Sequence, residues 1–296
     1  MNPLHLANDE GGNYCALMLK LDLFHPVAEV LLSAAEALAR APVITLICEP
    51  TLIGILGMAH IEAAVLDAGL VYRRQISEQI DDDQTYCIII SGNRETSWDS
   101  DSQVLVIGEV SVDLVMGHDL KTRTGVLEST SQAGALAAIL ATEGQRVRRL
   151  RGWVCAGQWL RNTLDQVYDP VWTRLRDHLK DEGSVRILPL PEVEIVAEDD
   201  LKGLSPRALN RLRKSWPTMD YQLRSRALSE LMMVVVRTSG QSAPRIEELG
   251  WHRLRAGSWP SDLASMLYHE VANWPNEDAI GHSIARLDTL ISTGHL

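Results

Sequence analysis

The sequence predicts an α/β protein in which a mostly parallel sheet has helices on both faces, followed by a smaller α-rich or α/β C-terminal domain. The first observation is the apolar run at residues 43–47, Val-Ile-Thr-Leu-Ile, which is typical of a strand buried on both faces. The second is the Ala/Leu-rich segment at 55–68, which predicts a helix directly after that strand. The third is an acidic connector at 190–204, which separates the predicted domains 1–190 and 205–296.

Predicted helices and strands alternate in the first half of the chain. The segment at 26–40 begins with a proline and has one apolar face, as expected for a helix that packs on a sheet. The helix at 55–68 contains several alanines, which allow close packing, and a glycine ends it. The predicted order is helix 26–40, strand 43–47, helix 55–68, strand 70–73, strand 86–90 ending at Ser91, a polar loop at 94–102, strand 104–107 ended by Gly108, and a weak β pattern over 110–116.

The second half is predicted to be mainly helical. A small-residue helix ends near Ala141, and the hydroxyl residues at 129–131 are natural N-caps for it. An apolar segment follows at 151–164. The remaining predicted elements are helix 170–180, strand 185–188, helices 206–214 and 221–231, strand 232–237, and helices 243–255, 260–273 and 278–292.

Composition is that of a globular protein, with 46% hydrophobic and 23% charged residues in a chain of 296. The net charge of −11 argues against broad nonspecific affinity for nucleic acid. No apolar run approaches the roughly 20 residues of a membrane span, and residues 1–10 lack the pattern of a signal peptide. The four cysteines include no Cys-x-x-Cys pair, so we expect reduced cysteines in an intracellular, cytoplasmic protein without a membrane partner.

The loop after the strand at 43–47 is the first place to look for a site, since ligands of α/β sheets bind where strands end. It contains Glu49, Pro50 and Thr51, followed by Leu52, Ile53 and Gly54. One carboxylate among apolar residues is a poor cradle for hard cations, which prefer several oxygen ligands. We therefore expect neither a metal site nor a cofactor here.

The layout of residues 26–165 resembles the DHH phosphoesterase superfamily, and within it the RecJ-type nucleases and their inactive relatives. The small-residue segment at 131–134 and its helix match the family well. Each position that would hold a metal ligand in the family departs from the pattern. Thr51 and Ile53 stand in the acid-x-acid-Gly motif, Ser91 replaces a strand-end acid, Gly108, Glu109 and Val110 occupy the Asp-His-His position, and Arg161 or a neighbour replaces the final acid.

This resemblance implies a pseudo-enzyme, because two neighbouring metal ions need several carboxylates and imidazoles. Catalytically inactive members of the family include the helicase-activating factor of the eukaryotic replisome and its archaeal counterparts. The resemblance therefore implies a noncatalytic scaffold that binds the GINS complex and supports the MCM helicase, with single-stranded DNA as a further ligand to consider. An archaeal protein of this kind would be associated with the nucleoid.

Two other functions fit the same residues. An active metal-dependent phosphoesterase or single-strand nuclease would need a relocated metal site, for which Glu49, Glu109, His118 and Asp119 are the candidates. A nucleotide-binding α/β protein of another family would use glycines such as Gly54 and Gly57 to hold phosphate. Close helix–sheet packing explains these glycines better, because neither a G-x-G-x-x-G motif nor a P-loop lysine is present. His60, on the Ala-rich helix, is expected to be a packed or surface histidine.

Two basic clusters are candidates for phosphate contacts, since arginine forks fit phosphate groups. A solvated surface that pairs with the many acids is the simpler interpretation of both. Tryptophans near the C-terminus are candidates for a partner surface, although core packing is the commoner reason for such residues. The basic residues are Arg146, Arg148, Arg149 and Arg151 in the first cluster and Arg207, Arg211, Arg213 and Lys214 in the second, and the tryptophans are Trp251, Trp259 and Trp274.

Overall fold

The computed structural model describes residues 15–79, 85–116, 121–161, 164, 168–197, 201–257 and 259–296. It has the predicted α/β architecture, with a mixed, mostly parallel sheet flanked by helices and a helical C-terminal region. The strands are β1 (Ile44–Cys48), β2 (Tyr72–Ile76), β3 (Cys87–Glu95), β4 (Ser97–Asp99), β5 (Val104–Met116), β6 (Lys121–Leu127), β7 (Arg186–Leu188) and β8 (Arg253–Arg255).

Eleven α-helices are present in the described residues, together with short 3-10 turns. Most of them begin at a side-chain cap or a proline, as their sequences predict. The helices are α1 (His25–Leu38), α2 (Leu52–Asp67), α3 (Ser129–Leu140), α4 (Gln145–Leu150), α5 (Ala156–Leu160), α6 (Pro170–Asp181), α7 (Pro206–Ser215), α8 (Tyr221–Ser239), α9 (Ala243–Trp251), α10 (Leu263–Asn273) and α11 (Ala279–Thr293).

The main sheet has six strands in the order β2-β1-β3-β5-β4, and β6 also pairs with β5. The strands β2, β1, β3 and β5 are parallel, whereas β4 and β6 run antiparallel to β5. Cys48 of β1 aligns with Ile90 of β3, which aligns with Ile107 of β5. The residues that follow these three positions therefore lie next to one another on adjacent strands.

Helix α2 is buried on nearly all sides, because it lies between the sheet and α3. This burial explains why its apolar residues do not form a single stripe. Gly57 allows the close approach to the sheet, since a Cβ at this position would lie 2.9 Å from Cγ2 of Ile90. Gly134 allows α3 to lie close to the 3-10 turn Arg151–Cys155, because a Cβ at this position would lie 2.4 Å from Cγ2 of Val154.

Most of the polar segment predicted as a loop at 94–102 is instead part of the sheet, and only residues 100–102 form a turn. Strand β3 does not stop at Ser91 but continues through a bulge to Glu95, and β4 follows it. The strand predicted at 104–107 and the β pattern at 110–116 are one continuous strand, β5, whose second half pairs with β6. The prediction was wrong because Gly108 was interpreted as a strand end, whereas it permits two strands to cross closely.

Three further predictions were wrong in detail. The strand predicted at 232–237 lies within α8, because Leu228, Met232 and Val235 have helical spacing and form its buried side. The helix predicted at 243–255 ends at Trp251, and β8 follows. Helix α3 begins at Ser129 with Glu128 as its N-cap residue, so the hydroxyl residues occupy its first turn and do not cap it.

The C-terminal helices contact the α/β layer directly. Strand β7 pairs with β8, and α11 packs on α2. A short ion pair joins Nη2 of Arg74 in β2 to Oδ1 of Asp288 in α11 at 2.6 Å. The division into domains 1–190 and 205–296 stays a prediction. Among the described residues, no helix has the length and apolarity needed to cross a membrane.

Candidate functional site

The candidate site lies at the carboxyl end of β1 and at the end of the part of β3 that pairs with it (residues 87–90), where the strand order reverses. The chain passes from β1 through α2 to β2 on one side and then returns to β3 on the other side of β1. Ligands of open α/β sheets bind at such a switch point. Glu49 follows β1 and Ser91 follows Ile90, and the Ser91 hydroxyl donates a hydrogen bond of 2.9 Å to Oε1 of Glu49. The structure therefore brings together two of the residues that the sequence singled out.

Thr51 and Gly54 have structural roles at the same crevice. The Thr51 hydroxyl caps α2 by accepting a hydrogen bond of 3.1 Å from the backbone N–H of Gly54. A Cβ on Gly54 would lie 2.4 Å from the Glu49 carbonyl oxygen, so the loop closes on itself at this glycine. Ile53 is half-buried in the first turn of α2. These residues shape the start of the helix and offer no carboxylate to a ligand.

A second polar group lies farther along the same edge, around Arg161 at the end of α5. Its Nη1 atom is 2.8 Å from Oε1 of Glu109 in β5, and it also contacts the carboxylate of Glu128 at the start of α3. Glu128 is buried, and burial raises its pKa against the opposing effect of Arg161. One guanidinium thus neutralises two carboxylates.

Gly108 and Val110 lie inside β5 rather than at a strand end. The Gly108 N–H donates to the Thr96 hydroxyl at 3.0 Å, and the Gly108 carbonyl accepts from Nε2 of Gln132 at 2.6 Å. Gln132 in turn accepts a hydrogen bond from Thr96 at 2.7 Å. This buried network ties the crossing of β3 and β5 to α3, and neither Thr96 nor Gln132 stood out in the sequence.

The residues at the motif positions do not fit the two-metal centre of the DHH phosphoesterases that the layout resembles. Thr51, Ile53 and Gly108 supply no carboxylate or imidazole at the motif positions. No three His, Cys, Asp or Glu side chains of the described segments are grouped to hold a metal ion. Of the residues proposed for a relocated site, His118 and Asp119 lie outside the described residues, and Glu109 is paired with Arg161.

His60 is buried in α2, which confirms that it is a packed histidine. Burial lowers the pKa of His60 to about 3, and the nearby charge of Arg151 acts in the same direction, although a hydrogen bond with the Trp153 backbone raises it. The imidazole is therefore neutral in the folded protein over the physiological range.

We expect His60 to make folding stability pH-dependent below neutrality. The unfolded chain binds a proton near pH 6.5 and the folded protein only near pH 3, so stability falls as pH drops through this interval. Between pH 7 and pH 5 the loss is about 2 kcal/mol. Urea unfolding at both pH values should show a smaller loss in His60→Gln. The exposed His25 supplies the control, because His25→Gln should retain the wild-type loss.

The four arginines of the first basic cluster all have partners within the protein. Nη1 of Arg146 pairs with Oδ1 of Asp67 at 2.8 Å, Arg148 pairs with Glu143, and Arg149 donates to the backbone carbonyl of Ile291. Arg151 is buried against Glu182, where no phosphate can reach it. Of this cluster, Arg146 and Arg149 border an open groove of about 610 Å³ between the ends of α2 and α3 and the start of α4.

The second basic cluster differs, because three of its four cations face solvent. Arg207, Arg211 and Lys214 are exposed on α7, while Arg213 donates a hydrogen bond of 2.6 Å to the Val193 carbonyl. A nucleic-acid role for either cluster stays a prediction.

The three C-terminal tryptophans are not equivalent. Trp259 belongs to the core, where its ring centroid lies 4.6 Å from that of Trp153. Trp251 and Trp274 are half-buried, and Trp274 packs edge-on against His282. Core packing is therefore confirmed for Trp259.

Comparison of the chain with protein-family models and with curated proteins found no match.

Proposed function

We propose that the chain is a noncatalytic α/β scaffold of DNA replication that binds the GINS complex and supports the MCM helicase, the partners that its resemblance to inactive DHH proteins implies. The observation that carries the proposal is the position of Arg161 between Glu109 and Glu128. The protein's own cation pairs with Glu109, one of the candidate ligands of a relocated metal site, and with Glu128 beside it.

The cost of burying an unpaired charge favours a structural role for the contacts of Arg161 with Glu109 and Glu128. Glu128 is 1% exposed, so removing its arginine would leave a buried carboxylate without a counter-charge. A metal ion cannot recruit Glu109 and Glu128 without displacing that guanidinium. The remaining edge residues, Glu49 and Ser91, are bonded to each other. The polar residues at this edge of the sheet therefore bond to one another, and the proposal assigns partner binding to other surfaces of the protein.

The test is co-elution of the purified full chain with the cognate GINS complex, followed by an MCM unwinding assay. We expect a stable complex and faster unwinding. Glu49→Gln and Glu109→Gln should retain both effects, because the proposal assigns no chemistry to these carboxylates. Absence of co-elution together with unchanged unwinding would show that the proposal is wrong.

The half-exposed carboxylate of Glu49 at the switch point favours one alternative, a phosphoesterase or single-strand nuclease with an altered metal site. Manganese-dependent release of nucleotides from a single-stranded oligonucleotide, lost in Glu49→Ala or Glu109→Ala, would establish it. Lack of release with manganese, magnesium, cobalt and zinc would remove it.

A further inference from the structure

Helices α7 and α8 contact each other, and the segment that contains them is basic in an otherwise acidic protein. Between Lys202 and Arg237 the sequence contains eight basic and two acidic residues, a net charge of +6 in a chain whose total is −11. We define the α7–α8 surface by its exposed residues Arg207, Arg211, Lys214, Leu223, Val234 and Arg237. A charge asymmetry of this size indicates an anionic partner.

The cations of α7 form one stripe. Arg207, Arg211 and Lys214 are spaced four and three residues apart, so they lie on the same side of the helix. Leu209 and Leu212 occupy the opposite, buried side. Within the described part of the chain, none of these three cations forms a hydrogen bond or an ion pair. Their charge is therefore available to a partner, in contrast to that of the first basic cluster.

The outward side of α8 adds apolar contacts to this charge. Leu223, Met233 and Val234 are exposed by 54%, 47% and 46%. Their spacing places them on one side of α8, together with Arg226, Glu230 and Arg237. The buried residues of α8, Leu228, Met232 and Val235, lie on the opposite side. Exposed apolar residues grouped on one helix mark an interaction surface.

We infer that the α7–α8 surface docks an acidic amphipathic helix of a partner protein. Leu223 and Val234 would contact the apolar side of that helix, and the cations of α7 and Arg237 would pair with its carboxylates. The inference rests on the proposed function, because it supplies the scaffold with a surface for its partner. Charge complementarity identifies the partner's chemistry as acidic.

Three other occupants fit less well. Single-stranded nucleic acid needs a row of stacking rings, whereas the apolar residues of α8 are aliphatic apart from Tyr221 at its start. On the outward side of α8, Nε of Arg226 pairs with Oε1 of Glu230 at 2.9 Å, so these two residues offer no net charge to an anionic bilayer, whereas the apolar side of a partner helix can pack against the aliphatic residues there. A second copy that paired through the same surface would bring two net charges of +6 together.

The test uses fluorescence anisotropy with the full chain and a synthetic peptide of three heptads, with Leu at positions a and d and Glu at the others. We expect saturable binding that weakens as salt concentration rises. The variant Arg207→Gln/Arg211→Gln/Lys214→Gln should bind at least about tenfold more weakly. Leu223→Ser/Val234→Ser should also lose affinity without any change of charge.

The control is Arg40→Gln/Arg123→Gln/Lys180→Gln, which removes the same charge from exposed residues on other elements and should bind like the wild type. Equal loss in this control, or no peptide binding by the wild type, would overturn the inference. If the peptide does not bind, three other results would show that the surface has a different occupant and would overturn the inference. These are binding of an oligo-dT strand through α7, binding of anionic vesicles through α7, and salt-sensitive self-association of the chain through α7.

This assay contains no GINS, so the two proposals fail separately. If the peptide binds and the GINS complex does not, the docking surface stands and the replication partner is wrong. If the peptide does not bind and the GINS complex binds the wild type and the α7 variant equally well, the scaffold function stands and the docking surface is wrong.

Discussion

Replacing Gly108 with alanine is expected to lower the free energy of unfolding by about 3 kcal/mol. A Cβ at this position would lie 1.8 Å from the carbonyl oxygen of Arg94, where the end of β3 crosses β5. A backbone oxygen cannot rotate away as a side chain can, so the strands must separate. The hydrogen bonds of Gly108 with Thr96 and Gln132 would weaken as a result. Urea unfolding followed by circular dichroism measures the change.

Gly92 provides a matched control, because it lies in the same part of the sheet and a Cβ there has no atom within 4 Å. Gly92→Ala should alter the free energy of unfolding by less than about 0.5 kcal/mol. If the two variants had the same free energy of unfolding, this would contradict the close contact between Gly108 of β5 and the Arg94 backbone.

The second large effect is expected for Arg151→Ala, which should cost about 3–5 kcal/mol of stability. Nε and Nη2 of Arg151 bond the two carboxylate oxygens of Glu182 at 2.7 and 3.0 Å, and the side chains are 2% and 3% exposed. The variant leaves this carboxylate buried without the guanidinium. Arg148→Ala is the control from the same basic cluster, since its exposed pair with Glu143 should contribute less than about 1 kcal/mol.

The same ion pair has a pH signature. Burial raises the pKa of Glu182, but hydrogen bonds from His178 and Arg151, the charge of Arg151 and a hydrogen bond from Ser184 together lower it to about 2 from the ordinary 4.5. Its stabilisation is therefore complete above pH 4.5 and is lost as pH falls toward 2. The stability difference between wild type and Arg151→Ala should shrink over that range. A difference that stays constant would exclude the pair as its cause.

Local sequence patterns predicted β1 and α2 well, because nearly every residue of these two elements is buried. All of Ile44–Cys48 is buried, and a continuous apolar run is a direct record of that environment. The patterns failed where a distant contact decides the conformation. Nothing near Gly108 indicates that Arg94 crosses it, and the β-branched residues at 234–236 would suit a strand if α9 did not pack on α8.

Local patterns likewise predicted one part of the candidate site and missed the part that depends on distant contacts. Glu49 follows β1, and Ser91 follows the buried residues of β3 that pair in parallel with β1, so their convergence can be inferred from the end of each apolar run. The contact between Glu128 and Arg161 cannot be inferred from the sequence, because 33 residues separate them and an acid before Ser129 is common. Helical spacing alone identifies the exposed stripe on α7, but only the structure shows that its cations are unpaired.

The packing of α11 on α2 has a consequence for how the chain acquires its fold. Arg74 and Asp288 are 214 positions apart, and Trp153 and Trp259 both donate indole N–H groups to the carbonyl of Gly294. Contacts of such long range slow folding, because a large loop must close before they form. During synthesis, α2 must wait for the end of α11 to leave the ribosome before its packing is complete. The nascent chain therefore has a long interval in which chaperones can bind it.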